Sequence, residues 1–244
     1  MRRAEMAVTG CDYGATSYTT RDQASRLAQE LALGPGALLL DIGSGAGWPG
    51  IYLSRSTGCR VVLTDPSFEG LNVAARRMRA EGVSGAVINA PGEALPFQDG
   101  VFDAVTHSDV LCCLPAKQAV LRDNRRVLRK GGRLSFLVIE LTEGISDASR
   151  VEVAASGPDH IEADDLYQVL MARAGFERIE SMDVTEEYRE TLSALIRTWD
   201  EASTELAPIV GIAEFEDRQS RRNRALAEVD EGSIRRTLFT AYRG

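Results

Sequence analysis

The sequence predicts an α/β protein: a doubly wound, mostly parallel seven-stranded sheet with helices on both faces. Short apolar runs alternate with amphipathic helical patterns over about the first 140 residues, and short connections join them. Such alternation is typical of a parallel sheet covered by helices. The alternation then stops, and two helical patterns, at 188–206 and 212–229, precede one last apolar run. This break predicts a helical insertion before the final strand.

Each element follows from a local signal. Strands are predicted where apolar runs meet turn residues, at 37–42, 60–64, 86–89, 102–107, 133–139, 176–183 and 236–242. The first helix begins after Thr19 or Thr20, whose hydroxyl caps it, and Ser67 caps a later helix. Further helices are predicted from near residue 48, over 117–129 and over 161–174, and 141–160 is predicted to be a loop.

These elements divide the chain into four segments. Residues 1–19 lack clear periodicity and are predicted to form a flexible arm. The core occupies 20–184, a helical lid 185–232, and the final strand of the core 233–244. Ligands of such sheets bind at the carboxyl ends of the strands. The insertion is therefore expected to cover a binding site.

Composition narrows the class of partner. The 244 residues carry a net charge of −8, and no basic stretch is long enough to follow a nucleic-acid backbone, so no nucleic-acid partner is expected. No apolar run reaches the roughly 18 residues of a membrane helix, and the first residues lack a signal-peptide core, which predicts a cytoplasmic location. The four cysteines and two histidines lack metal-ligand spacing, so no metal site is expected. The oligomeric state, monomer or homodimer, stays open.

The most informative motif lies within residues 38–54. A buried strand ends at Asp41, and Gly43, Gly45 and Gly47 follow at a spacing of two before a helical pattern begins. The free N–H groups at a helix start attract anionic groups, yet a neighbouring carboxylate would repel a phosphate. A ligand with an ammonium beside its own carboxylate satisfies both features. S-adenosylmethionine is such a ligand.

A second acid, Asp65, ends the next predicted strand, 24 residues beyond Asp41. An acid at this position accepts hydrogen bonds from ribose hydroxyls in the nucleotide sites of such folds. The alternative is an Asp that caps the turn before Pro66.

Four stretches together resemble the class I S-adenosylmethionine-dependent methyltransferases of the small-molecule, ubiquinone-type branch. They lie at 39–47, 62–65, 92–103 and 126–132, in order with the predicted strands. The resemblance implies the Rossmann-like methyltransferase fold, with S-adenosyl-L-methionine as cofactor and S-adenosyl-L-homocysteine as product.

The resemblance also implies residue roles. Gly43, Ser44 and Gly45 would pass under the methionine part of the cofactor, with Asp41 near its ammonium. The other implied cofactor contacts are Thr20, Asp65 at the ribose, Pro66 against the adenine, Gly92 and Glu93 at the adenine edge, and His107 and Ser108 on the methionine side.

Two positions depart from the family pattern. Pro91 stands where the family usually has an Asp that reaches the adenine amino group, so Asn89, Glu93 or a water must replace that contact. Cys113 stands where the family often has His.

Methyl transfer from a sulfonium is an in-line displacement, which needs alignment and the exclusion of water. His107 is the candidate base, and Asp109 would orient it or contact an amine. The alternative for His107 is a histidine that only bonds to the cofactor or the backbone. A small-molecule acceptor, attacking through nitrogen or oxygen, is expected to contact Tyr13, Tyr18, Tyr188 and Trp199. Arg218, Arg221, Arg222 and Arg224 either hold a substrate carboxylate or form a solvated face.

Two other functions stay open. The run 45–50 matches the dinucleotide pattern Gly-x-Gly-x-x-Gly and would suit an NAD-dependent oxidoreductase, but it starts four residues past Asp41, late for that motif. The second is a protein of the same fold that binds the cofactor without methyl transfer.

Overall fold

The protein is built on one seven-stranded sheet. The computed structural model describes residues 2–11 and 17–244, without the side chains of 2–4 and 155–156. The strands are β1 Leu38–Ile42, β2 Arg60–Asp65, β3 Gly85–Asn89, β4 Phe102–Ser108, β5 Leu128–Leu141, β6 Phe176–Asp183 and β7 Ile234–Arg243. Their order is β3-β2-β1-β4-β5-β7-β6, and β7 runs antiparallel to both of its neighbours while the other pairs are parallel. The predicted doubly wound, mostly parallel sheet is confirmed.

Ten α-helices accompany the strands in the described part of the chain. They are α1 Arg2–Thr9, α2 Arg21–Glu30, α3 Gly50–Thr57, α4 Phe68–Ala80, α5 Lys117–Val127, α6 Asp147–Ser156, α7 Tyr167–Ala174, α8 Thr185–Glu201, α9 Ser203–Val210 and α10 Ile212–Asp230. A short 3-10 helix, Leu111–Cys113, follows β4. No helix among the described residues has the length and apolar character that crossing a membrane requires.

Three local predictions were wrong. The arm expected to be irregular contains α1, which lies against α8. The loop expected at 141–160 contains α6, whose cap is Ser146: its Oγ accepts the N–H of Ser149 at 3.1 Å. The insertion before β7 holds three helices instead of two, because the first predicted helical pattern breaks at Ala202, at φ −99° and ψ 14°, into α8 and α9. Gly211, at φ +98°, then separates α9 from α10, and a left-handed φ of this kind favours glycine and ends a regular helix.

Two apolar layers enclose the sheet. Successive strand residues point to opposite faces, so Leu40 joins one layer with Phe136 and Phe239, while its neighbour Leu39 joins the other with Leu63. The α8–α10 segment also has a small core of its own, formed by Trp199, Leu206 and Phe215. This segment therefore packs internally as well as against the sheet.

Candidate active site

The glycine-rich loop after β1 is shaped by close contacts. Gly43 has a φ of +66°, and a Cβ there would lie 2.4 Å from Val110 Cγ2. Gly50, at the start of α3, would place a Cβ 2.5 Å from Asp41 Oδ2. Because real side chains do not fit at these distances, glycine at both positions lets the loop approach the strand ends closely.

Asp41 lies behind this loop, although the sequence motif had predicted it beside the ligand. It is 1% exposed, its Oδ2 accepts the N–H of Gly50 at 2.9 Å, and it is not part of the cavity wall described below. Burial raises the pKa of Asp41 to about 8. Its side chain thus fixes the start of α3, and the expected ammonium contact is not supported.

A large cavity of about 1190 Å³ opens at the carboxyl ends of the parallel strands. At one end its described wall includes Ile42–Ala46, Trp48, Asp65–Ser67, Glu69, Gly70, Val73 and Pro91–Glu93. At the other end the wall includes Tyr18, Cys112–Leu114, Ile139, Gly157, Pro158, Tyr188, Arg218, Arg221, Ala225, Glu228 and Ile234. Ser108 and Asp109 belong to the same wall. One continuous space thus joins the motif loops to the α8–α10 segment.

Asp65 occupies the position expected for a ribose contact. The N–H groups of Gly45 and Ser67 donate to its two carboxylate oxygens, at 2.8 Å and 2.7 Å. Each oxygen has a further lone pair, so the carboxylate can still accept hydrogen bonds from a ligand. The structure therefore brings Asp65 and the glycine loop together, as the sequence implied.

The wall beyond Asp65 includes Pro66, Pro91, Gly92 and Glu93. Asn89 is not among the described residues of the cavity wall, and its Nδ2 donates to the carbonyls of Asp65 and Pro66, at 2.9 Å and 3.0 Å. Of the two side chains proposed as substitutes, Glu93 is the one on the wall.

Two serine hydroxyls on the glycine-loop side of the cavity are candidates for contacts with a polar ligand. Ser44 Oγ and Ser108 Oγ are buried, and neither has a hydrogen-bond partner among the described residues. Both residues line the cavity. Buried hydroxyls are normally hydrogen-bonded, so these two fit the carboxylate and ammonium of a methionine moiety.

His107 does not reach the cavity, and its prediction as a base and cofactor contact was wrong. It is fully buried, it stacks on Phe136 with 4.5 Å between ring centroids, and neither ring nitrogen has a partner in the described structure. Burial lowers its pKa to about 3. The reason is strand parity: β4 continues to Ser108, so His107 faces the core beside Phe136, its register partner on β5.

Asp109 is held by Arg236, a residue that the sequence analysis missed. Arg236 donates from Nε and Nη2 to the two carboxylate oxygens, at 2.9 Å and 2.7 Å. The guanidinium is fully buried and also donates to Thr19 Oγ1 at 2.8 Å and Gln23 Oε1 at 3.0 Å. Asp109 therefore does not orient His107. Arg236 instead ties the segment before α2 to β7 and to the end of β4.

Thr20 acts as a helix cap. Its Oγ1 accepts the N–H of Gln23 at 3.3 Å, and its own N–H donates to Gln23 Oε1 at 3.2 Å. This reciprocal pair is a capping box. Thr20 is not among the described residues of the cavity wall, so its capping prediction is confirmed and its cofactor contact is not supported.

The residues predicted to contact the acceptor do not all line the same cavity. Tyr18 and Tyr188 line the cavity and meet edge to face, 5.0 Å apart, and burial raises the pKa of both phenols. Trp199 stacks on Phe215 at 5.5 Å and lines a second, smaller cavity instead. Tyr13 lies outside the described residues.

The four arginines of the basic cluster on α10 likewise lie in different surroundings. Arg218 and Arg221 line both cavities, Arg222 lines the smaller one, and Arg224 is exposed and lines neither. No sequence signal distinguished these four arginines, because their division depends on how α10 packs against α8.

The fold and the cavity define a Rossmann-like protein that binds a nucleoside-type cofactor at its strand ends. Residues 40–136 match the family described as Methyltransferase domain. Methyltransferase GfsG of Streptomyces halstedii is 32% identical over 181 residues, which are 72% of this chain and 65% of that protein. Sarcosine/dimethylglycine N-methyltransferase of Halorhodospira halochloris is 31% identical over 211 residues, covering 83% of this chain and 72% of that enzyme.

A solved structure has the same fold. Phosphoethanolamine N-methyltransferase 2 of Haemonchus contortus, in complex with phosphomonomethylethanolamine and S-adenosylhomocysteine, superposes with a TM-score of 0.85 at 18% identity. It covers 99% of this chain, and this chain spans 56% of that one. The chain belongs to the S-adenosylmethionine-dependent methyltransferases. Its predicted fold and family are confirmed.

Proposed function

We propose that this chain transfers the methyl group of S-adenosylmethionine to a nitrogen or oxygen of a small organic acceptor. The observation that carries the proposal is the cavity of about 1190 Å³ that joins the glycine loop to Tyr18 and Tyr188. Pockets for one small ligand usually measure about 300–1,000 Å³. A space of this size accommodates a cofactor and an acceptor together.

At the cofactor end, the proposed contacts come from wall residues. Gly43, Ser44 and Gly45 would lie along the methionine part, with Ser108 beside it, and Asp65 would accept the ribose hydroxyls. Pro66, Gly92 and Glu93 would surround the adenine. The support is their shared wall and the unpartnered hydroxyls of the two serines.

The bound cofactor supplies a methyl group on a positive sulfur, which needs no further activation by the protein. The chain has to align the acceptor and exclude water. Tyr18 and Tyr188 would bury the acceptor, and the Asp109 carboxylate, fixed by Arg236, can accept an N–H or O–H of the nucleophile. Because His107 lies in the core, the proton of the acceptor leaves without help from that residue.

The remaining partner and location assignments are proposals as well. The net charge of −8 argues against a nucleic-acid partner. Four free thiols fit a reducing compartment such as the cytoplasm. The assembly is proposed to be a monomer or a homodimer.

Titration calorimetry with S-adenosylhomocysteine and with NAD tests the cofactor, and labelled S-adenosylmethionine with a panel of small amines and alcohols tests the transfer. We expect saturable binding of S-adenosylhomocysteine, none of NAD, and label transfer to at least one acceptor. Binding of NAD alone would overturn the proposal. Binding of S-adenosylhomocysteine without transfer across a broad panel would favour a cofactor-binding protein of the same fold.

A further inference from the structure

A second cavity of about 350 Å³ adjoins the large one. It lies between α1, α8 and α10, and Trp199 forms part of its wall. Ser17, Tyr18, Arg218 and Arg221 line both spaces. The two cavities are therefore neighbours, with these four residues between them.

Two of the three arginines around this smaller cavity form ion pairs, and the third forms none in the described part of the chain. Its described wall includes these three arginines and two glutamates. Arg218 pairs with Glu214 at 2.6 Å, and Arg221 pairs with Asp217 on the same helix. Arg222 has no carboxylate within ion-pair distance among the described residues.

Arg222 is nevertheless held in place. Its guanidinium lies 4.1 Å from the centroid of the Trp199 ring, and its Nη1 donates to Gln219 Oε1 at 2.9 Å. Burial lowers the pKa of Arg222, which reflects the loss of water around the cation. A guanidinium has five N–H donors in a planar fork, so donors remain for a further acceptor. A fixed, partly desolvated cation without a carboxylate partner is suited to binding an oxyanion.

We propose that this pocket is an oxyanion subsite, in which Arg222, with Arg218 and Arg221 beside it, binds a carboxylate or phosphate group of the methyl acceptor. The acceptor would extend past Tyr18, with its nucleophile in the large cavity and its anionic group against Trp199. The inference rests on the proposed function and narrows its acceptor to small molecules that carry an oxyanion.

The two tryptophans of the chain allow a direct binding test. Inorganic phosphate and acetate are titrated separately into the 15N-labelled chain, with and without S-adenosylhomocysteine, while the two indole N–H signals are recorded. The Trp199 signal is assigned with Trp199→Phe. Trp48 lines the large cavity, so its signal reports separately on ligands in that space. We expect a saturable shift of the Trp199 signal, with phosphate, with acetate or with both; the anion that shifts it identifies the group that the subsite takes.

Variants of Arg222 and Arg224 distinguish a specific anion subsite from non-specific attraction by positive charge. Arg222→Gln is expected to weaken anion binding at least tenfold, and Arg222→Lys to weaken it less, because it keeps the charge and loses the fork. Arg224→Gln on the same helix is the matched control, since Arg224 is exposed and donates a hydrogen bond to Ser220 Oγ. The anion affinity of this variant should stay within twofold of the parent value.

The results distinguish the two proposals. No saturable shift of the Trp199 signal with either anion, or equal binding by Arg222→Gln and the parent chain, overturns the subsite. Calorimetry with S-adenosylhomocysteine on the same samples reports on the cofactor site alone. If that ligand fails to bind, the proposed function has failed, whatever the anion titration shows.

Discussion

Asp65 gives the sharpest test of the cofactor end of the cavity. Its carboxylate lies on the wall between the glycine loop and Pro66, and its two oxygens accept the N–H groups of Gly45 and Ser67. The proposed ribose hydroxyls would add two hydrogen bonds to the same charged group. Asp65→Ala removes the charge, both proposed ligand bonds and both loop bonds.

The expected loss of cofactor affinity follows from the two proposed ligand bonds. A hydrogen bond to a charged group contributes about 1.5–3 kcal/mol, and two such bonds with partial replacement by water correspond to about 2–4 kcal/mol. This is a loss of roughly 30- to 1,000-fold in cofactor affinity. The fold should lose about 1 kcal/mol, because the amides of Gly45 and Ser67 can turn to solvent; for a chain of this size that lowers Tm by about 2–4 °C.

The assay is titration calorimetry with S-adenosylhomocysteine, together with thermal unfolding of the same samples. Asp65→Asn keeps one carbonyl oxygen and should fall between the parent and Asp65→Ala. Asp99→Ala is the control, because Asp99 makes an exposed ion pair with Arg126 at 3.1 Å, away from the cavity wall. Cofactor affinity of Asp65→Ala within threefold of the parent value would refute the ribose assignment.

Burial raises the pKa of Asp41 to about 8, so the folded chain keeps a proton that the unfolded chain releases above its ordinary pKa near 4. The free energy of unfolding should therefore fall between about pH 4 and 8, by at most ~1.4 kcal/mol per pH unit, and Asp41→Asn should flatten that slope in urea titrations; an equal slope in both proteins would contradict the buried, protonated carboxyl. In hydrogen exchange, α1 and α8–α10 should gain protection when S-adenosylhomocysteine and an acceptor bind, while β1, β4 and β5 stay protected throughout. Equal protection of the helices in the free protein would assign them to static packing.

Local sequence patterns were sufficient to predict that the glycine loop and Asp65 lie together on the cavity wall. The strand, the glycines and the acid at Asp65 are close in sequence or lie at the ends of adjacent parallel strands, so the topology alone brings them together. The capping boundary at Thr20 has the same local origin. Strand parity was harder, because His107 ends the predicted strand and was expected at the site, whereas alternation along β4 turns it to the core face beside Phe136.

The sequence by itself determined the fold class, the family and the residues around the glycine loop, because those features depend on local periodicity and on strand order. Only the tertiary structure decided that Arg236 holds Asp109, a pair 127 residues apart, and that Arg222 lies over Trp199 while Arg224 faces solvent. Such pairings depend on how β7, α8 and α10 pack in the folded chain. No spacing along the sequence records which side chains then share a buried, low-dielectric space.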